Sequence, residues 1–573
     1  MMPTAERLML VMPELIMLAG AIVVAVLGLS ERRVIRTSVP IVTLATLVAA
    51  LVAVGLVHTP ERAASAGLPL PMLGLYGRSL IAVLGIGLVA LSVGSVDRRL
   101  EEALERGLAR FDSLRVLGGE FHAFILFSLA GAMLVTVAPD FIWLFLAIEL
   151  ASLPTYIMVA VSRGSRLAQE AAVKYFFLGA LSSAIVLYGV AMLYGAAGSL
   201  EFTAVQQALA GEAGGSSIAV LGTVLVVVGL GFKITAVPMH FYAPDVYEGA
   251  SIPTTAFLSF VPKATGFFAL MAVLAAIGFS PELEIAQLPP RVDAVLWMIA
   301  ALTMTLGNLG ALLQRSIKRM LAYSSISHSG YMLVGIVAGP VFGGFDAVLL
   351  YLLVYGLTNI VVFAALASIE RDGREVDDFD DLAGLRTRHP WASAMLALGA
   401  GSLIGLPPLL GFWGKLDLFM AGVDAGEIVL VVIMALNSAV SVWYYLRLVG
   451  LPTIAPAGPR AEAITAVPSR WPIATAIVSG FGIFLLPFAL DPLSEASAVA
   501  GPDAIEAMTA EAIPVPHPTL QPTPSSIDGP PADGTDVLGG AGSTDAATVD
   551  VDSAIGDVAD ARTRPATALV PVL

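Results

Sequence analysis

Fourteen long apolar runs constrain this chain more than any other feature. They fall near 8–29, 38–57, 76–95, 119–138, 139–161, 170–195, 217–241, 252–277, 293–313, 319–339, 344–369, 390–421, 424–448 and 471–490. Crossing ~30 Å of hydrocarbon takes about 20 helical residues, which is the length of most of these runs. No water is present there to satisfy a backbone N–H or C=O, so each run must bond within itself as a helix. The expectation is an all-α membrane protein with about fourteen transmembrane helices. Composition agrees: of 573 residues 57% are hydrophobic and 13% charged, against about 25% charged in a soluble domain. The first run is not a cleaved signal peptide, because Arg7 is balanced by Glu6 and the apolar stretch is too long. Cysteine is absent, which excludes disulfides, thiolate metal sites and thiol catalysis.

The net charge of −15 is concentrated at one end. Residues 491–573 hold 13 acidic residues against two arginines, which leaves about −4 for the membrane part. No basic patch suggests a nucleic-acid partner. That terminal segment is rich in Pro, Ala, Gly, Asp and Thr, so it is expected to be a disordered acidic tail. Basic residues set the orientation. Connections after odd-numbered helices hold 20 of the 30, including Arg32, Arg33, Arg98, Arg99, Arg110, Arg315, Lys318, Arg386 and Arg388. The N-terminus and the connections after even-numbered helices hold only Arg7, Arg62, Arg78 and Arg291. The positive-inside rule then places both termini outside, in the periplasm of a bacterial cytoplasmic (inner) membrane. The segment 98–115 has a stripe of Leu100, Leu104, Leu108, Phe111 and Leu114. It is expected to be a short amphipathic cytoplasmic helix.

The distribution of lysine differs from that of arginine. All 25 arginines fall in connections, helix ends or the tail, whereas Lys174, Lys233, Lys263 and Lys415 lie inside apolar runs and only Lys318 sits in a loop. A cation at the bilayer centre costs ~3 kcal/mol even on the lenient insertion scale. Four such costs are hard to explain by packing. A guanidinium stays protonated, but a buried ammonium can give up its proton. Repeated, buried and titratable groups describe a proton relay.

Glu149, mid-run in LFLAIELASLP, is the matching acid. It either locks two helices as an internal ion pair or tunes a lysine, and Lys233 is the candidate partner. His240 lies seven residues after Lys233, on the same face if the helix continues. Pro238 between them would kink it. An interfacial histidine is the alternative for His240. Lys263 follows Pro262, and Lys415 follows GLPPLLGFWG, whose glycines and paired prolines interrupt the twelfth run. Interrupted helices, here 7 and 12, point to an ion path. Lys174 has Glu170 four residues earlier, so a surface ion pair competes with a relay role. His328, among the hydroxyls of LAYSSISHSGY, is either a hydrogen-bonded core histidine or a proton carrier.

The interruptions are five helices apart, so two five-helix units related by inversion are expected. The resulting domains are an N-terminal three-helix region with its amphipathic segment (1–118), a first unit of helices 4–8 (119–277), a second unit of helices 9–13 (293–448), a connection with helix 14 (449–490) and the tail (491–573). No nucleotide loop, dinucleotide fingerprint, haem ligand set or metal cluster is evident in the sequence.

Several stretches carry a family resemblance: GFKITAVPMHFYAPDVYEGA (231–250), TAFLSFVPKATGF (255–267), IKRMLAYSSISHSGYMLVG (317–335) and GLPPLLGFWGKLDLF (405–419). With ELASLPTYIMVAV (149–161) and KYFFLGALSSAIVLYGVAMLYG (174–195), they resemble the subunit N family of bacterial NADH–quinone oxidoreductase, complex I, whose mitochondrial counterpart is NADH dehydrogenase subunit 2. The resemblance spans roughly 8–490 and implies an antiporter-like, proton-translocating membrane-arm subunit of fourteen helices. It implies no cofactor in this chain. The NADH, FMN, iron–sulfur clusters and quinone belong to the complex, and the partners are the other membrane-arm subunits and the lipid bilayer. It implies relay roles for Glu149, Lys233, Lys263 and Lys415, and places His240 and Lys174 on family positions. Lysine at 415 fits subunit N over the sister subunit that carries glutamate there. Lysine at 263 also favours N, because the other sisters carry histidine there. An Mrp-type cation/proton antiporter is the alternative on the same fold.

Overall fold

The computed structural model describes residues 4–108, 110–161, 165–209, 216–278, 288–458, 460 and 463–489. The expected acidic tail, 491–573, lies outside the described residues. Every apolar run corresponds to a helix or a broken pair of helices. In chain order these are helix 1 (Met12–Gly28, preceded by a turn of helix at Thr4–Leu10), helix 2 (Arg33–Val57), helix 3 (Leu73–Ser92), helix 4 (Gly118–Val135), helix 5 (Phe141–Val161) and helix 6 (Arg166–Ala197). They continue with helix 7 (Ser217–Lys233 then Ala243–Gly249), helix 8 (Ile252–Ile277), helix 9 (Pro290–Leu312), helix 10 (Ile317–Ala338) and helix 11 (Gly344–Ala367). Helix 12 (Pro390–Ile404 then Leu410–Asp424), helix 13 (Ile428–Thr453) and helix 14 (Trp471–Leu485) complete the set. Among the described residues, ten are long and apolar enough to cross a bilayer unaided.

Local chemistry explains several boundaries. Ser165, Ser216 and Ser316 each accept a backbone N–H three residues on, capping helices 6, 7 and 10. Gly405, at φ +89°, ends the first half of helix 12 with its N–H on Gly401 and Ser402 carbonyls. Helix 7 stops at Lys233, five residues before Pro238, and Thr235 takes a left-handed φ of 59° inside the break. A Cβ on Gly131 of helix 4 would lie 2.3 Å from the Ala151 backbone nitrogen of helix 5. That absence of a side chain lets the two backbones close up.

Helices 8 and 11 are buried along almost their whole length, whereas helices 2, 6 and 13 each turn a broad face outward. The central pair therefore sits at the core of the molecule. Arg36 bonds Glu101, Arg98 bonds Glu370, Ser469 bonds the Val93 carbonyl, and Ile317 bonds the Asp377 carbonyl. The connections after helices 1, 3, 9, 11 and 13 thus meet at one end of the molecule. A three-stranded sheet forms there in the order β2 (Arg374–Glu375), β1 (Ile369–Arg371), β3 (Ile464–Ala466).

The segment 98–115 departs from expectation. Its helix covers only Arg98–Glu105, Gly107 turns the chain at φ +66°, and Leu108 is 76% exposed. The apolar stripe is therefore not continued on one helix.

Candidate functional site

Lys233 is the last residue before the break in helix 7, and 4% of its side chain is exposed. Its ammonium donates to the Ser152 hydroxyl at 2.7 Å and to Tyr156 at 3.4 Å, and lies 3.7 Å from the Glu149 carboxylate. All three partners are on helix 5, at spacings of three and four residues that put them on one face. Ser183 of helix 6 donates to the same Glu149 oxygen at 2.6 Å. Glu149 remains 21% exposed, so the pair is reached by the protein on one side and by the outer surface on the other.

Lys263, fully interior on helix 8, donates to the Ser325 carbonyl and, at 2.6 Å, to the Ser329 hydroxyl, both on helix 10. Ser329 passes its own hydrogen to the Ile234 carbonyl just past the end of helix 7, which also accepts from the Thr235 hydroxyl at 2.6 Å. Helix 10 thus ties the break in helix 7 to the lysine of helix 8. Lys233 and Lys263 also line one cavity of about 10 Å³ with Tyr175, Thr235, Tyr242 and Tyr247. That is room for roughly one water molecule.

Tyr355 of helix 11 links this region to the next. The Lys263 ammonium stands 4.9 Å above its ring, and the His328 ring lies 5.2 Å from the same centre. Both ring nitrogens of His328 are engaged, Nδ1 with the Tyr351 hydroxyl at 2.7 Å and Nε2 with Tyr445 at 2.8 Å. Of two such nitrogens on a neutral ring, one donates and the other accepts. Lys415 follows. It donates at 2.9 Å to the Leu403 and Ile404 carbonyls, which the break in helix 12 leaves free, and at 3.1 Å to Ser438. Its charge lies against the negative end of the first half-helix, where a cation is stabilised. The ammonium is also 5.4 Å above Tyr331, whose ring is 5.3 Å from His328.

Glu149, Lys233, Lys263, His328 and Lys415 thus form one interior row, whereas the other two candidates stand apart. His240 does not share a face with Lys233, because helix 7 ends at Lys233 itself. Its half-buried ring lies edge-on to the exposed Phe241 and does not line the cavity of the two lysines. Lys174 is in the third turn of helix 6 and is 43% exposed, held at 2.8 Å by both Glu170 and Asp245. Asp245 also holds Arg319, which holds Glu248, so Lys174 belongs to an ion network clamping helices 6, 7 and 10.

Two placements from sequence need correction. Arg78, counted above with a connection, belongs to helix 3. It is in the second turn of helix 3, wholly buried, 3.0 Å from the equally buried Glu14 of helix 1. The guanidinium also donates to the Leu10 carbonyl at 3.0 Å. Glu14 sat visibly inside the first run, and an acid there was the available signal for a buried partner. Lys318 is not a loop residue. It is 1% exposed at the start of helix 10 and donates to the Glu248 and Ala250 carbonyls. The Tyr351–His328–Tyr445 clasp had no signal in spacing, since it joins three helices and its partners lie 23 and 117 residues from His328.

The family described as NADH:quinone oxidoreductase/Mrp antiporter, TM, matches residues 138–441, from just before helix 5 into helix 13. A subunit N of NADH-quinone oxidoreductase from Rhodospirillum rubrum is 36% identical over 443 residues, covering 73% of this chain and 87% of its own length. The chain belongs to the subunit N family of NADH-quinone oxidoreductase. A Nitrosomonas europaea subunit N is 40% identical over 337 residues, covering 58% of this chain and 68% of its own. A chain in the structure of respiratory complex I from Thermus thermophilus with bound aureothin aligns with a TM-score of 0.67 at 30% identity, over 86% of this chain and all of that one. A chain of the Mrp complex from Dietzia sp. DQ12-45-1b shares the fold alone, at TM-score 0.70 and 22% identity. The whole interior row lies within the matched residues 138–441, and the Glu14–Arg78 pair lies outside them. This subunit N chain is a multi-pass membrane protein. Among its described residues no cluster of His, Asp and Glu is arranged to hold a metal ion.

Proposed function

We propose that this chain is a proton-translocating membrane-arm subunit of NADH–quinone oxidoreductase, moving protons along the row Glu149, Lys233, Lys263, His328 and Lys415. The observation that carries this reading is the seating of the lysines. Lys233 stands at the break of helix 7, Lys415 on the free carbonyls of the break of helix 12, and Lys263 is joined to both by short polar and aromatic steps. Five ionisable groups in one interior row are costly in a membrane unless charge has to move along it. Glu149 holds the Lys233 charge, and because it is partly exposed an adjoining membrane-arm subunit can pull on it. Weakening that attraction frees the Lys233 proton for Lys263, and Lys415 passes it to the far side.

NADH oxidation, with FMN and iron–sulfur clusters, and quinone reduction belong to partner subunits. The chain resides in the bacterial inner membrane with its arginine-rich end in the cytoplasm and both termini periplasmic. The two units 119–277 and 293–448 act as inverted halves, each with one broken helix. His240 and Lys174 serve the surroundings of the path, Lys174 through its ion network. The test is Lys263→Ala and Lys415→Ala in membrane vesicles. Proton uptake per NADH oxidised is expected to collapse while the complex still assembles. Full pumping with normal assembly sinks the relay. The shared fold of the Mrp complex makes cation/proton antiport the competing reading, which predicts NADH-independent sodium–proton exchange by this chain.

A further inference from the structure

A cavity of about 900 Å³ opens at the end where the odd-numbered connections meet. By volume it holds roughly thirty waters. Its wall includes Ser95, Asp97, Ser251, Ile252, Glu370 and Glu375. Ser251 and Ile252 belong to the elbow between helix 7, which ends at Gly249, and helix 8, which begins at Ile252. One carboxylate organises this elbow. Glu375, on β2, accepts the Ile252 N–H at 2.9 Å with one oxygen and lies 3.6 Å from the Lys318 ammonium with the other. Lys318 in turn donates at 2.9 Å and 2.8 Å to the Glu248 and Ala250 carbonyls on the other side of the elbow. Glu375 is 27% exposed and Lys318 only 1%, so the carboxylate is the boundary between cavity water and the protein interior.

Behind that boundary the elbow is lined with hydroxyls. Ser251 and Thr254 are 2.9 Å apart, and Thr255 bonds the Tyr247 carbonyl at 3.1 Å. The Tyr247 hydroxyl reaches Ser325 Oγ at 3.2 Å, and the Ser325 carbonyl accepts from Lys263. Tyr247 also lines the small cavity shared by Lys233 and Lys263. A polar seam therefore runs from bulk water to the interior row, and it reaches Lys263 without passing Glu149. A purely structural ion pair would close the elbow equally well in a dry setting. Here it stands at the mouth of a cavity of about 900 Å³.

We propose that this cavity is the cytoplasm-side inlet of the proton path and that Glu375 is its first acceptor. Its carboxylate takes a proton from cavity water and becomes the acid. It then returns to carboxylate as the proton passes, through water between the elbow hydroxyls, to the neutral amine of Lys263, which becomes the ammonium. This rests on the proton-translocating reading above.

The whole complex in inside-out vesicles tests it. Glu375→Gln keeps an oxygen for Ile252 but cannot carry a proton, so proton uptake per NADH oxidised is expected to fall several-fold while NADH oxidation by uncoupled vesicles persists. Glu375→Asp restores the ratio, which a merely structural role for the pair would not require. The absence of native cysteine permits a single Ser251→Cys probe in this subunit. A membrane-impermeant maleimide added from the cytoplasmic face is expected to label it, and the adduct to lower proton uptake. Wild-type pumping by Glu375→Gln, or a Ser251→Cys that is unlabelled or pumps normally once labelled, overturns the inlet. If Lys263→Ala stops pumping while Glu375→Gln does not, only the inlet fails. If neither stops it, the proton-translocating reading fails. Should Glu375→Gln not assemble, the Ser251→Cys outcome decides alone.

Discussion

Lys233 shows how one side chain can be held without being locked. Its nearest partner is a neutral hydroxyl at 2.7 Å, and the opposite charge of Glu149 stands farther off at 3.7 Å. The acid therefore acts on the lysine through its charge more than through a tight bond. Glu149→Gln is expected to leave assembly intact and reduce NADH-driven proton uptake, measured as quenching of a pH-sensitive dye in vesicles. Unchanged uptake would make Glu149 a packing residue. Ser329 is the complementary case, because its hydroxyl touches both Lys263 and the Ile234 carbonyl. Ser329→Ala removes the buried Lys263 ammonium's hydroxyl partner and leaves the Ile234 carbonyl to the Thr235 hydroxyl alone, at an expected cost of about 1–3 kcal/mol, visible as a lowered thermal denaturation midpoint of the solubilised complex. The Glu149–Lys233 meeting was legible in sequence because both sit deep in apolar runs and each needs an opposite charge. The shared face of Lys233 and His240 fails on its own condition: a seven-residue spacing means one face only while the helix continues, and this one stops at Lys233. Arg78, counted with a connection, lies within helix 3, where the buried acid Glu14 of helix 1 holds it.

At the scale of elements, close backbone contact and buried charge do different work. Helix 5, which carries Glu149 and Ser152, lies against helix 4 at Gly131, where an added Cβ meets the Ala151 nitrogen at 2.3 Å. Backbone cannot step aside as a flexible side chain can, so Gly131→Ala must push the helices apart. The expected cost is about 1–3 kcal/mol, with proton uptake falling alongside stability because Ala151 lies between Glu149 and Ser152. Loss of stability with full uptake would show that the Lys233 site tolerates a shifted helix 5. Helices 1 and 3 are instead joined by Glu14 and Arg78. Removing one partner strands a buried charge, so Glu14→Leu alone is expected to cost about 3–5 kcal/mol. The double variant Glu14→Leu with Arg78→Met should recover most of that, as read by the thermal midpoints of both single variants and the double. Recovery no better than additive would mean the two charges do not depend on each other. The break in helix 12 was legible from GLPPLLG, since paired prolines cannot continue a helix. The start of the break in helix 7 was not, because it precedes its proline and is set by tertiary bonds, with Ser329 donating to the Ile234 carbonyl and the Val237 N–H donating to Thr303.

For the whole molecule, a single asymmetry orders the rest. The arginine-rich connections gather at one end, and among the described residues that end carries the three-stranded sheet and the 900 Å³ cavity. Run length and charge counting were enough for the fourteen-helix plan, because a bilayer permits few alternatives. The sheet was not legible, since strands of two and three residues leave no period to detect and pair across connections nearly a hundred residues apart. Direction of transport depends on which end faces the cytoplasm, and the lack of native cysteine gives a direct measurement. Leu108, 76% exposed, lies on the arginine-rich end, and Ser65, also exposed, lies in the connection between helices 2 and 3 at the other. Single Leu108→Cys and Ser65→Cys variants, treated with a membrane-impermeant maleimide, are expected to separate cleanly. Leu108→Cys labels in inside-out vesicles and Ser65→Cys in right-side-out ones. The reverse pattern would put the large cavity on the periplasmic side and turn it from an inlet into an outlet, because the same row of lysines is indifferent to direction and only the membrane's orientation gives it one.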